Sequence, residues 1–244
     1  MRVLLAITQR ELAAYFATPL AYVFIIIFVA LAAIFTFRVG QFFTRGMADL
    51  APLFLYLPWL LLIFSAAAAM RLWAEERARG TIELLLTLPV ATWQAVLAKW
   101  LAAWLFLGVA LIATFGLWFT VNWLGEPDNG VIALGYLAAW MSGGVLLAAG
   151  AAASALTRNQ VIAFVLAAAI GFLLMSTATP LVQQGLGAWL PAPLAEALAA
   201  GAVLSHFSNV AQGMLSAADV LYWLGMTTFW LFVNTLLVEW RKAA

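Results

Sequence analysis

The chain has 244 residues, 67% of them hydrophobic and 9% charged, with a net charge of +1 and a mean hydropathy of +1.07. A soluble domain carries about a quarter charged residues and about half apolar ones, so this composition excludes a soluble globular protein and a disordered chain. Alternating lumen-facing residues would dilute the apolar content of an outer-membrane barrel, which leaves a helical membrane protein. Cysteine is absent and His206 is the one histidine, so no disulfide, thiolate site or multi-histidine centre can be built.

Residues 3–16 read as an amphipathic helix. Arg10 and Glu11 are its polar residues and Leu4, Leu5, Leu12, Tyr15 and Phe16 its apolar ones. Such a helix is expected to lie flat at the inner membrane interface, anchored by Tyr15 and Phe16. Thr18-Pro19 ends it. A first span follows at about 20–37. Ala30-Leu31-Ala32 resembles a cleavage site, but the apolar run starts late, follows a polar helix-like segment and continues to Phe37, so the span is read as uncleaved. A second span covers about 52–70.

Residues 71–90, "RLWAEERARGTIELLLTLPV", are the longest charged stretch. Glu75, Arg79 and Glu83 recur every fourth residue, sharing one helical face and alternating in sign. Gly80 interrupts the helix, Thr81 can cap a second short one, and Pro89 ends it. An apolar ridge of Ile82, Leu85 and Leu86 beside Glu75, Glu76 and Arg79 is too apolar for a solvated loop and suits a protein partner.

Further spans are expected at about 96–121, 131–155, 161–179 and 220–238, making an all-α polytopic protein with six transmembrane helices in a single domain. The small residues Gly143, Gly144, Ala148, Gly150, Ala152 and Ser154 suit close helix packing, and Asn234 suits an interhelical hydrogen bond. Thr157, Arg158, Asn159 and Gln160 form a short polar turn. Residues 180–219 lack Lys and Arg yet remain mostly apolar, and short re-entrant or interfacial outer helices fit them better than a free loop. His206, in that connection, reads as a histidine satisfied by its neighbours.

Sidedness follows from the basic residues. Arg2, Arg10, Arg71, Arg77, Arg79, Lys99, Arg158, Arg241 and Lys242 fall on one side and only Arg38 and Arg45 on the other. Both termini are therefore expected in the cytoplasm of a cell whose inner membrane holds the chain. No phosphate loop, dinucleotide fingerprint or zinc-hydrolase motif occurs, so neither an intrinsic catalytic site nor a bound cofactor is expected. The span interiors also lack the charged residues on which ion-coupled transporters depend. The energy for any transport must then come from an attached motor.

The stretch "AEERARGTIELLLTLPVATWQAVLAKWL" resembles the signature of ABC type-2 transport permeases, the export-type membrane subunits of ABC transporters. Glu76, Gly80, Thr81, Glu83, Leu85, Leu86, Pro89, Val90 and Lys99 carry the resemblance. "RELAAYFATPLAYVF" near one end and "HFSNVAQGMLSAADVLYW" near the other are similar to the gliding-motility-type subgroup. Trp73 and Ala74 give the Glu75-Glu76 pair a more apolar lead-in than the pattern. The resemblance implies an amino-terminal elbow helix (Arg10, Glu11, Tyr15, Phe16), six spans, a coupling helix within 71–90, and a second cytoplasmic turn at Arg158 and Asn159. It also implies a second permease copy or paralogue, an ABC ATPase subunit carrying ATP and Mg, an auxiliary membrane protein, and no nucleic-acid partner. The alternative is a membrane scaffold or mechanotransmission subunit that docks on the same ATPase and moves no solute.

Overall fold

The structure, a computed structural model, describes residues 2–80, 90–177, 179–187, 189 and 191–240. Every regular element among them is helical. Among the described residues, five stretches are long and apolar enough to cross a membrane: Pro19–Arg45, Ala51–Arg79, Thr92–Leu124, Asn129–Ala155 and Ala217–Trp240. Gln160–Ser176, where a further span is expected, has only 17 residues, short of the roughly 20 that a bilayer asks of an upright helix.

In chain order, α1 is Arg2–Phe16, α2 Pro19–Ile34, α3 Phe42–Arg45, α4 Ala51–Ala69 and α5 Arg71–Arg79. Then come α6 at Thr92–Ala113, α7 at Phe115–Leu124, α8 at Asn129–Ala155 and α9 at Gln160–Ser176. Pro180–Gly187 is α10, Ala192–Ala200 α11, Val203–Ala211 α12 and Ala217–Trp240 α13. α8 is the central post, with α13, α9, α4, α12 and α6 packed around it.

Its small residues make that possible. A Cβ on Gly143 would stand 2.2 Å from Leu107 Cδ2, and one on Gly150 would stand 2.7 Å from the Cβ of Ala69. The expected packing role of this patch is therefore visible atom by atom. Three indoles staple α6 to α8. Trp100 stacks on Trp104 and Trp104 on Trp140, with centroids 4.9 and 4.1 Å apart. Trp104 donates to the Trp140 carbonyl, Trp140 to the Trp104 carbonyl and Trp100 to the Gly144 carbonyl.

The helix ends differ from the sequence reading for local reasons. The first span leaves α geometry at a π turn, Phe35–Val39, where the Gly40 amide donates to the Phe35 carbonyl and Gly40 presses against Pro52. The third breaks at Thr114, whose hydroxyl lies 2.7 Å from the Leu111 carbonyl and 3.0 Å from the Tyr136 hydroxyl. The fifth stops at Ser176 rather than 179, and Pro180 disfavours helical geometry at Thr179 beyond it. There the Thr179 hydroxyl and amide both donate to the Ser176 carbonyl. The short helices expected over 180–219 are Pro180–Gly187, Ala192–Ala200 and Val203–Ala211. Asn234 is fully buried as expected of a bundle-facing residue, but its amide has no hydrogen-bond partner among the described residues.

Candidate functional site

At one end of the bundle α1, α5 and the first turns of α6 converge, and Arg10, Glu11, Arg71, Glu75, Glu76, Arg79 and Lys99 pair there. Lys99 is the centre. It rises from α6, is 2% exposed, and places its ammonium 3.0 Å from Glu11 Oε2 and 2.7 Å from Glu76 Oε1. Its Nζ also lies 5.4 Å from the centre of the Trp73 ring. A buried ammonium is tolerated only with such partners.

Glu11 reaches Lys99 because α1 lies along α6. Arg10 pairs with the other oxygen of Glu11 at 2.8 Å. Burial pushes the Glu11 carboxyl up, but the charge of Lys99 and hydrogen bonds from Arg10 and Lys99 outweigh it and hold the group below the usual carboxylate range. Tyr15 and Phe16, expected as interfacial anchors, turn inward instead. Tyr15 stacks on Phe106 with centroids 4.7 Å apart, and Phe16 meets the same ring edge-on. The Tyr15 hydroxyl donates to the Ala68 carbonyl at 3.0 Å, and burial raises its pKa above the usual phenol value. Aromatic pairing in a protein groove outcompetes a lipid contact because the phenol finds a carbonyl acceptor there.

On α5, Glu75 binds Arg71 at 2.8 Å and Arg79 at 2.6 Å, one turn to either side. Glu75 and Arg79 belong to the alternating face read from the sequence, as far as the described residues extend. The junction between α4 and α5 is held from α8. Ser154 Oγ accepts from the amides of Trp73 and Ala74 and donates to the Met70 carbonyl. Gly80 closes α5 in the left-handed region at φ 70°, a conformation that L side chains rarely adopt. A shallow cleft between α1 and α5 is lined by Glu11, Ala14, Tyr15, Arg71, Leu72 and Glu75.

Thr81, Ile82, Glu83, Leu85, Leu86 and Pro89, the remainder of the expected docking set, lie outside the described residues. Asn159 caps α9 by accepting from the Val161 and Ile162 amides, with exposed Arg158 beside it. Sequence reasoning put Lys99 at a membrane edge and in the motif but did not find its partners. Glu11 is 88 positions away and Glu76 is 23 away; the one signal was a lone lysine in an otherwise uncharged helix.

Chemically, the site is a set of balanced ion pairs around a rigid helix junction. It holds no nucleophile beside a base, and no group of three His, Cys, Asp or Glu residues among those described could hold a metal. His206 lies in α12, where both its ring nitrogens have oxygen partners, as expected of a satisfied histidine. Compared with known families, residues 23–236 match the profile of the ABC-2 family transporter proteins. No curated protein matches the chain.

Proposed function

The chain belongs to the ABC-2 transporter family, and from that premise we propose that it is the permease subunit of an ABC exporter driven by a separate ATPase. The observation that carries this reading is the family match over residues 23–236. The paired charges around Lys99 support it, because they fix α1, α5 and α6, which flank residues 81–89 in sequence, into one base. In this reading α1 is the elbow helix, and residues 71–90 form the coupling element, with Ile82, Leu85 and Leu86 as the ridge entering the ATPase. Arg158 and Asn159 belong to a second contact. The chain has six spans, α9 among them with help from flanking residues. It sits in the inner membrane with both termini cytoplasmic and pairs with a second copy or a paralogue. ATP and Mg stay on the ATPase, and the resemblance of the terminal segments supports the gliding-motility-type subgroup, with an auxiliary membrane protein.

The test is coexpression with an ABC ATPase, sought first in the neighbouring reading frames. The purified chain alone should hydrolyse no ATP, and the complex should hydrolyse it at a rate that the permease stimulates. Gly80→Val and Glu83→Lys should insert normally but lose copurification or stimulation. Full coupling in both variants would overturn the assignment of 71–90. Reporter fusions after residues 90 and 158 should read cytoplasmic and those near 127 and 205 external; a cytoplasmic reading at 205 would break the six-span topology. Transport of solute into vesicles by the complex separates an exporter from a scaffold that only transmits force.

A further inference from the structure

Three successive carbonyls at the end of α11 are each capped by a side chain from a later element. Ser205 Oγ donates to Ala199 at 3.1 Å, His206 Nε2 lies 2.9 Å from the Ala200 oxygen, and the Tyr222 hydroxyl donates to Gly201 at 2.7 Å. A helix leaves its last carbonyls without internal donors, so these three bonds fasten the end of α11 to α12 and α13. The extensive packing of α11 among the described residues is otherwise on α10.

One of the three caps can change charge. The other ring nitrogen of His206, Nδ1, lies 2.6 Å from Asp219 Oδ1. Asp219 is 2% exposed, and its second oxygen accepts from the Ser216 amide and hydroxyl. Both nitrogens of the imidazole therefore face oxygens, a backbone carbonyl on one side and a carboxylate on the other. Only the doubly protonated ring can donate to both; a neutral ring turns one lone pair against an oxygen. Tyr222 lies flat against the ring with centroids 3.9 Å apart.

The remaining ionisable groups around α12 are engaged elsewhere or exposed. α8 and α4 bring only Tyr136 and Tyr56, which meet Thr114 and Phe35, and α9 brings none. Glu196 of α11 is exposed.

We propose that His206, Asp219 and Tyr222 form a proton-operated clasp that holds the end of α11 against the bundle and releases it when the imidazole loses its charge. The hairpin of α10 and α11 then responds to acidity at the end of the bundle remote from Lys99.

The experiment is hydrogen exchange on the intact chain in micelles, read on peptides covering 192–202 and corrected for intrinsic exchange rates. It is run between about pH 5 and 8, the interval in which histidine changes charge. The native chain should exchange about five- to tenfold faster at the alkaline end, the factor of roughly one net hydrogen bond. His206→Gln, which keeps a donor but cannot titrate, should lose the pH dependence. Ser205→Ala should exchange faster at every pH and keep it. Nitrogen-15 resonances of the single histidine, recorded on the native chain without a histidine tag, should show two protonated nitrogens at the acid end and one at the alkaline end, with the same midpoint as the exchange. A flat exchange profile, a profile unchanged by His206→Gln, or a ring neutral throughout would overturn the proposal.

Discussion

Replacing Lys99 with methionine isolates the charge at the centre of the buried cluster. Methionine keeps most of the length of the side chain and removes the ammonium, so that Glu11 and Glu76 converge on an apolar sulfide. Breaking a buried pair by deleting one partner costs about 3–5 kcal/mol. The two carboxylate side chains retain 16% and 20% exposure, so water relieves part of that cost and about 2–3 kcal/mol is expected. For a chain of this size each kcal/mol moves the thermal midpoint by about 2–4 °C, which gives a fall of roughly 4–12 °C. Thermal unfolding of the purified protein, followed through its 12 tryptophans, reads the effect. The decisive comparison is the triple variant Glu11→Gln, Lys99→Met, Glu76→Gln, which leaves no buried charge unpaired and parts only the exposed Arg10 from its carboxylate, and should recover at least half of the loss. A single variant that melts with the parent, or a triple no better than the single, would refute charge balance as the role of Lys99.

Acid should act on the same cluster. The folded pKa of Glu11 is lowered from 4.5, so its stabilisation is complete above that value and is lost as pH falls through the folded pKa. The unfolding midpoint of the parent should drop over this acid range more than that of Glu11→Gln. Ser154→Ala removes the acceptor for two buried amides and the donor to Met70, and should destabilise by about 1–3 kcal/mol in the same melt. Gly143→Ala should cost about 1–3 kcal/mol through collision with Leu107, whereas Gly225→Ala, whose Cβ would meet nothing within 4 Å, should not destabilise.

What the sequence discloses and what it hides divide along a physical line. Hydropathy and small-residue spacing report one-dimensional facts, and so the long apolar helices and the tight faces at Gly143 and Gly150 were legible. Helix ends were less so, because Thr114 and Thr179 act through their own hydroxyl bonds to nearby carbonyls, which hydropathy does not register. The pairing of Lys99 with Glu11 was hidden altogether, since it depends on α1 folding back along α6 over 88 positions. Tyr15 was misjudged for the same reason: its amphipathic surroundings suit a lipid interface, and only the fold supplies Phe106 and the Ala68 carbonyl. The pairing of Glu75 with Arg79 was legible because it is local to one helix; Arg71, on the other side of Glu75, was not part of the reading.

The indole ladder between α6 and α8 has a mechanical consequence. Trp104 and Trp140 exchange bonds reciprocally, so any sliding of one helix along the other breaks both at once, together with the bond from Trp100 to the Gly144 carbonyl. A shift of one turn, about 5.4 Å, has no alternative register in which these rings could re-engage, because each indole is matched to a glycine, Gly108 or Gly144, that leaves it room. The two helices must therefore travel as a single plank. Relative movement is confined to the seams on either side of that plank and to the break at Thr114, where α7 can pivot while the ladder stays shut.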